Sequence, residues 1–442
     1  MNRFARLLED FLYDLCFGLR QLLRNPFVSA VCVLTLALGI GANAAIFSAV
    51  DAVLLRPLPF KNADELVDLT EYTSRGVDSG GVSYPDYLAW KGQNTVFEET
   101  AAYFLVKASN DIVLDGPFST EHERYSSVTN SFFTILGVKP AIGHGFSASD
   151  ELPGGEKVFL VSDALWRRVF GASPRALYKH YLLDGESYTL IGVMPPGFDF
   201  PKGCGIWTPI GTLGEFGMHD RISHGYHVLG RLRSGVNLSQ VEAQIETIQD
   251  GLAKAYPSTD ADWRVRAKPL LSEIVGDVQT SLFVLLGAVS FILVIACTNV
   301  VNLMLARALV REKEFAIRSA LGAYPLRLLR QNLTETFVLV CISAVLAVAF
   351  AKWGFALIVS LTSVPLPRME PFRLNVPVLA FLSTVAMLAT FLVGTVPALE
   401  ASRPNPQGIP RDGRQSDGLA RRGGRLRGAL VVSELALALL LL

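Results

Sequence analysis

Apolar residues gather in a few long runs, separated by one extended stretch in which they recur singly among polar neighbours. Phe27 to Val50 is 24 residues without a charge, more than the roughly 20 needed to span a hydrocarbon core about 30 Å thick. Uncharged runs also cover Ser281–Ala306 and Leu374–Leu399, and another, from about Leu333 to Thr362, carries only Glu335 near its start and Lys352. With their flanks these runs predict four transmembrane helices, at residues 27–55, 281–306, 332–362 and 374–399. Lys352 lies near the end of its run, where its stem can carry the ammonium to the headgroups and avoid the roughly 2.5–3.5 kcal/mol cost of mid-helix burial. A fifth run, Ala429–Leu442, is interrupted only by Glu434. It reads as the start of a truncated fifth membrane helix over 429–442, which makes the chain a fragment of a longer frame, or as a re-entrant or interfacial tail.

Ahead of the first run, Phe4, Leu7, Leu8, Phe11, Leu12, Leu15, Leu19, Leu22 and Leu23 recur at helical spacing with charged residues between them. Residues 1–26 therefore predict an amphipathic helix, lying on the inner membrane surface or packed on the bundle. Residues 56–280 follow another pattern. Glu65–Thr70, Asp111–Asp115, Tyr188–Val193 and His227–Leu232 have the β-branched or alternating character of strands. Leu238, Val241, Ile245, Ile248 and Leu252 share one helical face, with Asn237 or Ser239 as cap and Pro257 as stop. These 225 residues suffice for a large mixed α/β domain whose two ends return to the membrane.

Half of the residues are hydrophobic, 18% are charged and the mean hydropathy is +0.36, which excludes an ordinary soluble globular protein. Forty Lys and Arg balance forty Asp and Glu, so net charge offers no argument for a nucleic-acid partner. The distribution matters more. Arg307, Arg311, Lys313, Arg318, Arg327 and Arg330 crowd residues 307–331, and Arg403, Arg411, Arg414, Arg421, Arg422, Arg425 and Arg427 crowd residues 400–428. By the positive-inside rule both segments are cytoplasmic, which puts the N-terminus inside with them and the 56–280 domain outside.

Cys16, Cys32, Cys297 and Cys341 lie in or beside apolar runs, and Cys204, alone in the outer domain, has no partner for an intradomain disulfide. All six histidines fall in that domain; His219, His224 and His227 are close together, but their spacing matches no standard zinc pattern, and no metal is expected. His-Glu-x-x-His and Gly-x-Ser-x-Gly are absent, as is any Gly-Lys dipeptide of a Walker A loop. No catalytic residue is assigned, and any ATPase has to be a separate subunit.

Between the second and third runs, Arg311-Glu-Lys-Glu-Phe-Ala-Ile-Arg-Ser-Ala-Leu-Gly-Ala-Tyr-Pro predicts a short helix, with Glu314 and Arg318 paired at i,i+4 and Gly322 and Pro325 as stop signals. This segment resembles the coupling segment of MacB/FtsX-type ABC transporter permeases. The likeness extends to Leu19-Arg-Gln-Leu-Leu-Arg-Asn-Pro, Leu34-Thr-Leu-Ala-Leu-Gly-Ile-Gly-Ala-Asn, Leu54-Leu-Arg-Pro-Leu-Pro, Ser83-Tyr-Pro-Asp-Tyr, Phe132-Phe-Thr-Ile-Leu-Gly-Val and Gly192-Val-Met-Pro-Pro-Gly-Phe, in that order. It is greatest to the duplicated permeases of acidobacteria, in which two four-crossing halves share one chain. That would make residues 400–428 a basic linker and 429–442 the opening of a second half. The sequence departs from the family at Pro406, Gly408 and Pro410, which break a usually helical stretch, and at Tyr178, where the family favours glycine.

The resemblance implies an α+β membrane protein of the bacterial inner membrane: a four-helix FtsX-like bundle with a MacB-like periplasmic core domain inserted after the first helix. It further implies an ABC ATPase subunit in trans, holding the ATP and Mg, docked on Arg311, Glu312, Glu314, Phe315, Ile317, Arg318, Leu321 and Gly322. A second permease half or a homodimer completes the assembly. ATP-driven motion would pass through the membrane helices to the outer domain, as efflux or mechanotransmission. Ala37, Gly41, Ala45 and Ala49 form a small-residue stripe in the first helix, suited to close packing at a mobile interface or within one subunit. Asn43, Thr298, Asn299 and Asn302 are candidates for hydrogen bonds between helices. The rival reading is an ATPase-independent receptor or scaffold that binds a ligand or partner through the outer domain.

Overall fold

The computed structural model describes residues 18–73, 75–76, 81–105, 111–117, 119–310, 325–361 and 374–401, with scattered residues from 428 to 439. The chain divides into two compact units, Met1–Arg56 with Asp277–Leu442, and Pro57–Gly276. Residues 1–17 of the N-terminal segment and the 402–427 linker lie outside the described residues.

In the first unit, helix Pro26–Val50 opens on a proline at a position whose N–H would be unpaired in any case. It continues as a π-helical turn, Asp51–Leu55, closed by the Arg56 amide donating to the Asp51 carbonyl at 2.9 Å. Three more long helices follow: Leu270–Val310, Pro325–Leu361 and Val376–Ala401. Within the four, Pro26–Leu55, Val278–Ala306, Asn332–Gly354 and Val376–Thr395 are long and apolar enough to cross a membrane. Leu36, Ile40, Val300, Leu339, Ala347 and Val393 form their common core.

Two boundaries differ from the sequence reading. Pro325, a stop signal for the segment before it, also begins the helix that carries the third membrane span, seven residues ahead of 332, because proline fits a first helical turn; the spanning part of that helix is Asn332–Gly354. The second membrane helix begins at Leu270, ahead of its uncharged run, and the outer unit closes at Gly276 rather than 280. Its first turns carry Glu273, which pairs with Lys268 at 3.1 Å, while Leu270 is buried in the outer domain's core.

The outer unit holds one sheet built from β1 (Leu66–Thr73), β2 (Phe97–Leu105), β3 (Ile112–Asp115), β4 (Thr120–Glu123), β5 (Tyr125–Val128), β6 (Ile142–Gly143), β7 (Val158–Val161), β8 (His180–Leu183), β9 (Glu186–Val193), β10 (Ile206–Pro209), β11 (Tyr226–Leu232) and β12 (Trp263–Pro269). Their order is β12-β1-β11-β2-β5-β10-β7-β9-β8-β3-β4, with β6 on β9. Only β5–β10 and β7–β9 are parallel; the remaining pairs are antiparallel. Val67 stands opposite Pro269, so the domain's first and last strands are neighbours and the chain enters and leaves at the same end of the sheet.

Both faces of β1 are covered. Leu66 joins a core with Phe132, Trp207 and Leu270; Val67 and Leu69 join another with Tyr84, Tyr87, Trp90 and Val241. Helix Leu238–Ala255 supplies Val241, Ile245 and Leu252 to that second core. Its Asn237 cap accepts from the Gln240 amide while Gln240 reaches back to the Asn237 amide, a reciprocal capping box. Buried Arg231 fastens the entry segment, donating to the carbonyls of Lys61, Asn62 and Ile135 and to Glu65. Tyr178 is held at φ 60°, in the left-handed region where the family's glycine would be unstrained.

Candidate functional site

Arg311, Glu312, Glu314, Phe315, Ile317, Arg318, Leu321 and Gly322 lie outside the described residues, as do Pro406, Gly408 and Pro410. The helices on either side are described, and so are the contacts that hold the bundle together. Ala37, Gly41, Ala45 and Ala49 are all buried. A Cβ built at Gly41 would come within 2.9 Å of the Ala347 carbonyl and 3.1 Å of the Phe350 Cβ, both on the third membrane helix. Gly41 therefore lets the first and third membrane helices of one subunit approach main chain to main chain.

Asn43 lies beside that stripe. Its amide nitrogen donates to the Val289 carbonyl at 2.8 Å, and Ser290 Oγ donates to Asn43 Oδ1 at 3.2 Å, joining the first and second membrane helices. Thr298, an expected partner, instead donates to Val294 on its own helix. Asn302 Oδ1 has no partner among the described residues. The inter-helix contact is real, but its acceptor is a backbone oxygen that no side-chain pattern displays.

At the end of the first membrane helix the π turn directs the buried Asp51 side chain toward the start of the fourth. Asn375 Nδ2 donates to Asp51 Oδ2 at 2.6 Å, and Arg56 approaches the same oxygen at 3.6 Å. The other end of the Asn375 amide accepts from Val378 N at 3.1 Å, so one side chain caps the fourth helix and ties it to the first. One turn further in, the rings of Phe47 and Phe381 stack at 4.0 Å. Asp51 was legible only as the first charge after an uncharged run.

In the outer unit the three neighbouring histidines do not converge. His219 ends a short helix, His227 stacks on Tyr103 at 5.0 Å, and His224 Nδ1 meets Glu71 Oε2 at 2.5 Å while its ring lies 4.0 Å from that of Trp263. Among the described residues no group of three or more His, Cys, Asp or Glu side chains is placed to hold a metal ion. Beside the Glu71–His224 pair, Arg221 Nη1 donates to both Asp86 and Asp260, and its guanidinium lies 3.8 Å from the Tyr256 ring. Burial pushes Glu71 up to about 7, against the pull of the His224 hydrogen bond and charge, and burial raises Asp86 as well. Cys204 is buried beside a cavity of about 290 Å³ lined by Ser162, Phe198 and Asp199, and desolvation pushes its thiol up to about 12.

A MacB-like periplasmic core domain model matches residues 29–248, and an FtsX-like permease C-terminal model matches residues 286–406. Those two domains, in that order, account for most of the chain and for both of its units. The chain belongs to the MacB/FtsX-type permeases. Among its MacB/FtsX relatives, the macrolide export ATP-binding/permease protein MacB of Burkholderia pseudomallei is 27% identical over 292 residues, covering 64% of this chain and 42% of the relative. The pyoverdine export ATP-binding/permease protein PvdT of Pseudomonas syringae pv. tomato is 24% identical over 305 residues, covering 65% and 43%. The chain thus spans less than half the length of these curated relatives. The crystal structure of the periplasmic region of MacB from Actinobacillus actinomycetemcomitans aligns over 49% of this chain and 94% of that one, at 11% identity and a TM-score of 0.36.

Proposed function

We propose that this MacB/FtsX-type permease transmits the work of an ABC ATPase in trans to its outer domain. The observation that carries the reading is the succession of the two family domains, joined to an outer sheet whose first and last strands are neighbours. An element entered and left at one end is suited to being moved as a body. The names of the two relatives, which speak of macrolide and pyoverdine export, favour efflux as the outcome.

On this reading the chain lies in the bacterial inner membrane with residues 307–331 and 400–428 in the cytoplasm, where their arginines collect, and with the outer unit in the periplasm. The ATPase, with its ATP and Mg, docks on Arg311, Glu312, Glu314, Phe315, Ile317, Arg318, Leu321 and Gly322. A second permease half or a second copy completes the assembly. This chain's own contribution is mechanical: Asn43 and Asp51 keep the first helix in register with the second and fourth, and the Gly41 approach keeps it against the third.

The test is affinity purification of the chain in mild detergent, with mass spectrometry for an ABC ATPase and a vanadate-sensitive ATPase assay on the eluate. Co-purification that is lost in Glu314→Arg and Leu321→Asp is the expected result. Recovery of an outer-domain partner with no ATPase, unaffected by both substitutions, would overturn the reading in favour of a receptor.

A further inference from the structure

Five side chains from separate stretches of the outer unit meet around Glu71: Glu71 itself on β1, Asp86 in the helix Tyr84–Gln93, Arg221 and His224 in the segment before β11, and Asp260 in the turn before β12. Among the described residues, one guanidinium and one imidazole pair with these three carboxyl side chains, none of which has exposed surface. If all three were ionised, the group would be net negative whether or not the ring carried a proton. Arg221 spends a single Nη1 on both aspartates. Asp86 Oδ2 and Asp260 Oδ1 are buried and, among the described residues, have no hydrogen-bond partner.

A bare carboxylate oxygen away from water is unfavourable, and a proton relieves it twice, by removing charge and by supplying a donor. We propose that Glu71, Asp86, Asp260, Arg221 and His224 form a buried proton-binding site, and that its proton fastens the 220–226 segment and the 256–263 turn onto β1.

Among the described residues, the groups facing this site from the elements packed on it are those five, with Tyr256 over Arg221 and Trp263 against His224. The nearby charges of Asp86 and Asp260 add to burial in raising Glu71. The direction follows from Glu71, which rises from 4.5 to about 7 in the fold. A raised carboxyl contributes its full stabilisation below its unfolded value and loses it as pH climbs through the folded one. Acid therefore tightens the two segments and alkali loosens them. With the domain placed outside the membrane, as proposed above, the pH that matters is that of the surroundings rather than of the cytoplasm.

The experiment is hydrogen exchange with mass spectrometry on the full chain in detergent, corrected for intrinsic rates, following peptides that cover 220–226 and 256–263. Protection should fall several-fold per pH unit between about 5 and 7 and then level off. In Glu71→Gln, which is permanently neutral, protection at high pH should match that of the unaltered protein in acid, with a flat profile. Infrared difference spectra of the unaltered protein supply a second readout that needs no variant: a protonated carboxyl band should vanish as pH rises through about 7. A flat exchange profile in the unaltered protein, a pH dependence unchanged in Glu71→Gln, or no titrating carboxyl band would each overturn the proposal.

Discussion

In the membrane unit, Asn43 and Asp51 each reach one neighbouring helix, Asn43 through Val289 and Ser290 and Asp51 through Asn375. In the outer unit, buried polar side chains gather instead: Arg231 serves four acceptors, and Glu71, Asp86, Asp260, Arg221 and His224 share one another. The difference follows from what each fold leaves unsatisfied. A membrane helix closes its own backbone hydrogen bonds, so a polar side chain is needed only where two helices must be held in register. A sheet with long connections exposes loop carbonyls and strand ends that a buried cation can collect. Isolated contacts hold a position, whereas shared ones hold a whole region.

That comparison can be broken most severely at Gly41, where packing alone is involved. Gly41→Leu should destabilise the membrane unit by about 3 kcal/mol, read as a lowered melting temperature in detergent, because neither the Ala347 backbone nor the Phe350 Cβ can withdraw. Gly287→Ala, on a membrane helix with nothing within 4 Å of the added carbon, is the control and should change little. Next comes Arg231→Met, which strands several acceptors at once and should cost the outer unit about 2–3 kcal/mol in denaturant titration.

Asp51→Ala should cost about 1–2 kcal/mol, since a single charge-assisted contact is lost. The exchange Asp51→Asn with Asn375→Asp restores a donor and an acceptor, so the double variant should recover most of what Asn375→Asp alone loses. The capping bond to Val378 survives in both variants, because a carboxylate oxygen accepts it as the amide oxygen does, so no recovery would mean that the link between helices contributes little. The smallest effect has the opposite sign: Tyr178→Gly should stabilise the outer unit by about 1 kcal/mol in denaturant titration, by releasing a left-handed backbone at the cost of a ring contact with His144.

How far each region could be read beforehand follows the same division. A membrane helix is written in one continuous run, so its presence is plain in residues 27–50 or 374–399, and only its ends mislead. Glu273 and Asp277 shorten the charge-free stretch of a helix that begins at Leu270, and Pro325 marks a start as readily as a stop. The small-residue stripe could be read from its spacing, but what it packs against could not, because Ala347 belongs to another run. Asn43 stood out as polar among apolar neighbours, yet its acceptor is a main-chain oxygen 246 positions away.

The outer cluster was hidden more completely. His224 drew attention for its nearness to His219 and His227, whereas its partner is Glu71, 153 positions back and brought close only by the pairing of β1 with β11. Asp86 stood within the Ser83-Tyr-Pro-Asp-Tyr motif that carried the family likeness, without any sign that it faced Arg221. Strand pairing makes such groups, and a linear pattern does not record it.

The approach at Gly41 also constrains how sequences of this kind can diverge. Because the space there is closed by a main-chain carbonyl rather than by a side chain that could shrink, no single change at Ala347 opens room for a larger residue. Position 41 can vary only if the third helix shifts as a whole, which requires several simultaneous replacements along its contact with the first. A lineage that has lost this glycine should therefore show a rewritten third helix, and one that keeps the helix should keep the glycine.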